Sequence, residues 1–388
     1  MVYEGMRAVA GPVLVSLGAS ALTVGLVTGA GEAVALVLRL VSGPWADRSR
    51  RYWRLTVVGY AMTALSVPLL AITPLLGVAG VAVAATLILL ERVGKAVRSP
   101  AKSALLARMA TSTGRGRGFA VHKALDQVGA FAGPLLLSGV AAVTGLLWPG
   151  LALLAVPGAL SMLLLGQLRR RVPSVAEPDP DDAEPASTPS RWSFRGLRVG
   201  LLGADLPRGF HLFSFAVACS TAGLMTFGVI SFHFVEVGLV PLAAVPLVYA
   251  AAMAVEAVAA LATGDLFDRF GGRVLLVVPL VVVTVPPLVF APALWSVLAG
   301  VVLWGAATGI QDSTVKAFVA DLVPSRRRST AYGVFAAVQG VGALAGGTLA
   351  GALATAHAGL LGWCVAGLQV ISLLLFLRSL RGTTRRLR

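Results

Sequence analysis

GPWADRSRRYWRL at residues 43–55 and GDLFDRFGGRVLL at residues 264–276 are two versions of one segment. Each version begins with glycine, carries Asp and Arg at its fifth and sixth positions, and continues with further arginine. Each also separates two apolar blocks of about 20 residues, the length at which a helix crosses a bilayer. The pattern indicates short polar loops between membrane-spanning helices, placed at corresponding points of two related halves.

The composition of the 388-residue chain agrees with a membrane protein, because 57% of its residues are hydrophobic and only 13% are charged. Soluble domains carry about 25% charged residues. The alternation of about ten residues that marks a membrane β-barrel is absent, so we predict an all-α polytopic membrane protein. Twelve apolar blocks lie at residues 1–17, 20–42, 55–77, 79–98, 118–144, 149–168, 209–235, 241–263, 274–292, 294–317, 331–354 and 358–377.

The net charge of +15 is distributed by topology. Arginine clusters in every second connection and in the C-terminal tail, whereas the connections near residues 18, 78, 146, 238, 293 and 356 contain no Lys or Arg. Under the positive-inside rule, this predicts a multi-pass protein of the cell membrane with both termini cytoplasmic. The same distribution argues against a nucleic-acid partner, which would otherwise be suggested by such a basic chain.

The domain organisation follows from one polar interruption. Residues 169–208 are rich in Pro and acidic side chains, a composition typical of a disordered linker. We therefore predict a six-helix bundle at 1–168, a cytoplasmic linker at 169–208, a second bundle at 209–377 and a basic tail at 378–388. The first block is shorter than a full span, so we expect about ten to fifteen further residues of its helix to precede Met1.

A second internal match supports the repeat. FAVHKALDQVGAFAGPLLLSG from Phe119 aligns without a gap with YGVFAAVQGVGALAGGTLAG from Tyr332, which places Gly129 over Gly342 and Gly133 over Gly346. Repeats of this kind build secondary transporters from two bundles related by a pseudo-two-fold axis.

The two polar segments resemble the signature loop of the major facilitator superfamily. The matching residues are Gly43, Asp47, Arg48 and Arg51 in the first copy and Gly264, Leu266, Asp268, Arg269, Gly271 and Arg273 in the second. The resemblance implies a twelve-helix fold and a role for these residues in bracing a cytoplasmic gate. From the residues alone, Gly permits a tight helix exit, Asp can cap a helix start and Arg can anchor the loop at the interface. The alternative to a gate is that these residues only fix the orientation of the helices in the membrane.

A further resemblance concerns the fifth block. Gly129, Gly133 and Pro134 match the helix 5 signature of the drug/proton antiporters of that superfamily, but Leu136 and Leu137 replace its later glycine pair. Ordinary close packing of helices through GxxxG is the alternative explanation.

Ionisable residues inside the blocks are the candidate functional residues, because a charge in a membrane span is costly unless it faces a cavity or a partner. Most lie in the first half. The candidates for proton coupling or substrate binding are Glu4, Arg7, Glu32, Arg39, Glu91, Arg92, Lys95, His122, Asp126, Glu256 and Asp312.

Helical spacing predicts four pairs among the ionisable residues: Glu4–Arg7, Glu32–Arg39, His122–Asp126 and Asp312–Lys316. Counted along their helices, Glu32 and Glu91 lie near the middle of the bilayer. Closer to the cytoplasmic surface, and expected to snorkel towards it, are Arg98, Lys102 and Lys316. Each pair has a purely structural alternative. Together, the acids Glu32, Glu91, Asp126 and Glu256 are the candidates for the group that carries a proton.

The sequence therefore predicts a secondary transporter that works by alternating access and takes a small solute and protons as its partners in the lipid bilayer. Export of hydrophobic or drug-like compounds is the specific hypothesis, and uptake by proton symport is the alternative. A membrane-embedded enzyme or a transporter-like sensor is the alternative of another class. The sequence contains no nucleotide-binding loop, no catalytic motif and no metal-binding pattern, so we expect a non-enzymatic monomer without cofactor, metal or nucleotide.

Overall fold

The computed structural model describes residues 1–109, 115–172, 206–324 and 327–384, and within these ranges the chain forms helices and connecting turns, with no strand. Twelve helices are present in these ranges, several of them interrupted. They are α1 (Val2–Ser16), α2 (Ala21–Val37 and Arg39–Ser49), α3 (Tyr52–Leu69, continued as a 3₁₀ helix over Leu70–Ala79), α4 (Gly80–Met109), α5 (Arg115–Thr144), α6 (Trp148–Leu153 and Ala155–Arg171), α7 (Arg208–Leu224 and Phe227–Glu236), α8 (Val245–Phe270), α9 (a 3₁₀ turn Gly271–Leu276, then Val277–Val282 and Val285–Val289), α10 (Leu294–Asp312 and Thr314–Leu322), α11 (Arg328–Leu353) and α12 (Ala358–Thr384).

Nine helical stretches in the described ranges are long and apolar enough to cross a membrane. Two of them, Tyr52–Leu106 and Leu242–Val289, each contain two consecutive helices. The helix α1 spans only 15 residues. The prediction of an all-helical polytopic membrane protein is confirmed, and each of the twelve apolar blocks corresponds to a helix.

Two helices extend beyond the predicted limits of their bundles. The helix α6 continues to Arg171 and α12 continues to Thr384, so each is longer than the bundle limits at residues 168 and 377. Most of the predicted linker falls on residues 173–205, which lie outside the described residues. Its predicted disorder therefore stays a prediction.

The two signature loops turn at the same position, with different ψ angles, 14° and −154°. Arg50 and Gly271 occupy the eighth position of their copies, and both have positive φ, 51° and 62°. Each follows the last residue of its helix, so the reversal of chain direction occurs there. The expectation that Asp47 and Asp268 cap the start of a helix was wrong. Asp47 lies in the last turn of α2 and Asp268 in the last turn of α8, so each is at the end of a helix.

The aligned glycines have equivalent packing roles in the two halves. A Cβ atom added at Gly133 of α5 would lie 2.2 Å from the carbonyl oxygen of Met1, at the start of α1. One added at Gly346 of α11 would lie 2.3 Å from the carbonyl oxygen of Ala222 in α7. These glycines therefore allow α5 to contact α1 and α11 to contact α7, as close packing through small residues predicts.

Glycine also allows the first six helices to contact the last six. A Cβ atom at Gly25 of α2 would lie 2.1 Å from the carbonyl oxygen of Gly347 in α11, and one at Gly11 of α1 would lie 2.2 Å from that of Gly228 in α7. Backbone contacts of this kind hold the first six and the last six helices together. The outer faces of the helices are apolar, with Trp295 81% and Trp363 76% exposed, as expected of a surface in lipid.

Candidate functional site

The candidate site is the cavity between the first six and the last six helices. It is lined by residues of α1, α2 and α4 on one side and of α7, α10 and α11 on the other. The helix α7 is broken here, because Met225 has φ 52° and the residues Met225 and Thr226 are unwound. Unwound backbone within a membrane is tolerated where it lines such a cavity, and broken helices frequently build the substrate sites of transporters.

Glu32 of α2 binds two arginines on the first-half side of the cavity. Its Oε1 atom lies 3.2 Å from a guanidinium nitrogen of Arg7 and 3.7 Å from one of Arg92. The side chain of Arg92 is only 5% exposed, whereas those of Arg7 and Glu32 are 23% exposed. One carboxylate thus connects α1, α2 and α4 at the wall of the cavity.

Glu91 lies behind that wall and is completely buried. Its Oε1 atom accepts a hydrogen bond of 3.1 Å from Thr63 and lies 3.9 Å from Arg98, while Oε2 lies 3.7 Å from Nε of Arg92. Arg98 also donates to Thr63 and to the carbonyl oxygen of Gly59. The carboxylate of Glu91 therefore joins α3 to α4 and has no access to the cavity.

Tyr3 of α1 lies between two cations of α4. Its hydroxyl accepts hydrogen bonds from Arg92, at 2.6 Å, and from Lys95. The same two cations lie over its ring, with the guanidinium carbon 4.7 Å and the ammonium nitrogen 3.8 Å from the ring centroid. Cation–π attraction and hydrogen bonding thus hold both side chains against the cavity wall.

The second-half side of the cavity is polar with few charges. Thr221 of α7 donates to Oε1 of Gln311 in α10 at 3.0 Å, and the Nε2 atom of Gln311 has no hydrogen-bond partner in the described structure. The indole of Trp304 donates to the carbonyl oxygen of Met225 at the break of α7. Asp312 lines the cavity as well.

Four other candidates, Glu4, His122, Asp126 and Glu256, lie outside the cavity lining, whereas Arg39 is part of it. His122 and Asp126 of α5 form the predicted pair, 3.5 Å apart, and Lys102 of α4 approaches both of them. Glu256 of α8 makes no ion pair with another described residue, and its buried Oε2 atom has no hydrogen-bond partner. The side chains of the signature residues Asp47, Arg48, Arg51, Asp268, Arg269 and Arg273 are exposed.

Two predicted pairs were wrong. Glu4 accepts a hydrogen bond of 2.6 Å from Tyr249 of α8, and Arg7 binds Glu32 instead. Arg39 is not bound to Glu32, and its Nε atom has no partner among the described residues. Spacing along one helix missed these contacts because they join different helices.

The snorkelling expectation was also wrong for Arg98, which is 9% exposed and turns inward to Glu91. The fourth predicted pair, Asp312–Lys316, cannot be compared, because the Lys316 side chain lies outside the described residues. Sequence reasoning further missed Tyr3, Thr221 and Gln311. The signal for Gln311 was present, since an amide beside Asp312 in an apolar block requires a polar neighbour.

The sequence profile of the Major Facilitator Superfamily matches residues 2–285 and, in a second match, residues 213–387. The chain belongs to the major facilitator superfamily. It is 48% identical over 379 residues to an uncharacterized protein of Mycobacterium tuberculosis (strain H37Rv), covering 97% of this chain and 88% of the relative. It is 24% identical over 351 residues to an uncharacterized transporter of this type from Methanocaldococcus jannaschii, covering 88% and 82%.

A solved transporter structure has the same fold. A mutant form of the nucleoside transporter NupG superimposes with a TM-score of 0.76 at 14% sequence identity, covering 97% of this chain and 96% of that structure. At this identity, the comparison shows the fold and carries no information about the ligand of this protein. The drug/proton-antiporter subtype suggested by the fifth helix is not established by these relatives.

Proposed function

We propose that this protein is a proton-coupled secondary active transporter that moves a small solute across the cell membrane by alternating access. The observation that carries the proposal is the central cavity, to which both groups of six helices contribute polar side chains. Rocking of two such groups about a site at their interface exposes it first to one face of the membrane and then to the other. The signature residues around Asp47 and Asp268 are proposed to brace the cytoplasmic gate.

The proposed carrier of the proton is Glu256. Glu91 is a poor candidate, since its carboxylate is buried and bound by Arg98 and Thr63. Glu32 is already shared by two arginines. Glu256 makes no ion pair in the described part of the chain, so its protonation can change without breaking an ion pair that holds helices together.

The lining supports a polar solute more than a hydrophobic compound. Hydrophobic ligands bind in pockets with predominantly apolar walls and few polar groups, whereas this cavity presents Arg7, Glu32, Arg92 and Lys95. A polar solute is therefore favoured here over drug-like compounds.

The test is flux in reconstituted vesicles with an imposed pH gradient, using a mixture of metabolites analysed by mass spectrometry. We expect gradient-driven movement of at least one solute with the wild type. With Glu256→Gln, we expect exchange of that solute to persist and gradient-driven accumulation to be lost. Glu236→Gln, at an exposed helix end, is the matched control. A protein that moves no solute under any gradient would be a sensor or an enzyme rather than a transporter.

A further inference from the structure

The cations at the cavity outnumber the acids. Among the described residues that line it, Arg7, Arg39, Arg92 and Lys95 carry positive charge, and Glu32 and Asp312 are acids. Glu32 is shared by Arg7 and Arg92, and Arg92 also lies 3.7 Å from the buried Glu91. Arg39 and Lys95 have no acidic partner among the described residues. Lys95 has a neutral partner, the Tyr3 hydroxyl. The wall formed by α1, α2 and α4 therefore has an excess of positive charge.

The unsatisfied hydrogen-bonding atoms of the lining have one chemical character. They are Nε of Arg39 and Nε2 of Gln311, and both are donors. Nε of Arg92 also lacks a hydrogen bond, but it lies 3.7 Å from Oε2 of Glu91, behind the wall of the cavity. Gln311 is only 4% exposed, and its amide oxygen is already bound by Thr221, so its free end is the NH₂ group. No acceptor among the described lining side chains is left buried without a partner. Buried donors without acceptors are costly, and an acceptor-rich ligand would satisfy them.

We propose that the cavity binds a small organic anion, with a carboxylate or phosphoryl group facing the arginines of the first half and a second acceptor facing Gln311. Guanidinium groups bind such oxyanions through parallel, charge-assisted hydrogen bonds. The proposal rests on the proposed function, since it names the class of solute that this transporter carries. It goes beyond that function, because neither the fold nor the relatives specify the charge of the solute.

Substitution of Arg39 tests ligand binding without breaking an ion pair between helices. Arg7 and Arg92 hold Glu32, so removing either one disturbs an ion pair between helices. Arg39 makes no ion pair in the described structure, so Arg39→Gln removes a positive charge from the cavity without breaking such a pair. Arg39→Lys keeps the charge and removes the parallel guanidinium donors, so it separates the effect of charge from that of geometry. Arg378→Gln, on the exposed face near the end of α12 and outside the lining, is the matched control.

The experiment measures ligand-induced thermal stabilisation of the purified full chain in nanodiscs of phosphatidylcholine, at constant ionic strength. The probes are succinate and glycerol 3-phosphate, each compared with its uncharged counterpart, succinamide or glycerol. A ligand that binds the folded state raises the melting temperature. We expect at least one anion to stabilise the wild type and its uncharged counterpart to have no effect. In Arg39→Gln, we expect affinity for that anion to fall about tenfold or more. Arg39→Lys should lie between this variant and the wild type, because it keeps the charge and loses the parallel donors, and Arg378→Gln should bind as the wild type does.

A second arm replaces part of the phosphatidylcholine with anionic phosphatidylglycerol. If this lipid abolishes the response to the soluble anion, the occupant of the anion site is a lipid headgroup. The proposal is overturned if neither anion stabilises the wild type, if succinamide and glycerol stabilise it equally, or if Arg39→Gln binds as tightly as the wild type. Anion binding without gradient-driven flux would refute the proposed function alone, whereas flux of neutral or cationic solutes alone would refute this inference.

Discussion

The contact between α2 and α11 gives a prediction whose size follows from the backbone. Ala at position 25 would place its Cβ atom 2.1 Å from the carbonyl oxygen of Gly347, whereas Cβ atoms essentially never approach a neighbour within 3.0 Å. The obstacle is backbone, so no side chain can rotate away. The two helices must separate by nearly 1 Å for Gly25→Ala to be accommodated.

Overpacking of this kind costs about 1–3 kcal/mol. The cost applies to conformations in which α2 and α11 touch, and it disappears in conformations in which they are apart. A difference of that size changes the ratio of two conformations by about 5- to 150-fold. Gly25→Ala is therefore expected to shift the protein strongly towards the conformation in which these two helices are separated.

The assay is pulsed electron paramagnetic resonance between spin labels on Leu22→Cys in α2 and Leu360→Cys in α12. Both native cysteines, Cys219 and Cys364, are first replaced by serine. Both labelled positions are exposed, at 42% and 52%. The control is Gly362→Ala, where an added Cβ atom meets nothing within 4 Å. Identical distance distributions in Gly25→Ala, Gly362→Ala and the parent would refute the reasoning.

Two further substitutions test the buried polar contacts. Glu91→Gln leaves Arg98 as a buried cation without its carboxylate. The free energy of unfolding, measured by detergent denaturation, should therefore fall by about 3 kcal/mol or more. A loss no larger than that of the exposed control Glu236→Gln would contradict this. Tyr249→Phe removes the hydrogen bond that joins α8 to Glu4 of α1, a bond worth about 1.5–3 kcal/mol. Spin labels on α1 and α8 should then show more of the conformation in which these two helices are apart. An unchanged distance distribution would count against a role for this bond in holding them together.

The helices were predictable because each is a local property of the chain. A block of about 20 apolar residues specifies a membrane helix wherever it lies, and the glycines aligned at Gly133 and Gly346 specify where helices approach. The interruptions were harder to predict. The break of α7 at Met225 is stabilised by Trp304 of α10, a contact that depends on how distant segments pack.

The sequence predicted several residues of the candidate site, but it did not predict which of them bind each other. The rule that charges in a membrane face a cavity or a partner identified Arg7, Glu32 and Arg92. The helical spacing rule then assigned wrong partners to Arg7 and Glu32, because it relates residues on one helix only. The bond between Glu4 and Tyr249 joins residues 245 positions apart, and no local rule predicts such a pair.

The matched turns at Arg50 and Gly271 have a consequence for the history of the two halves. Both residues have positive φ at the same position of the repeat, but ψ is 14° at Arg50 and −154° at Gly271. Arg50 is left-handed helical, whereas Gly271 has a conformation that is essentially restricted to glycine. Duplicated segments can thus keep the position of a turn while its residue type and its backbone conformation diverge.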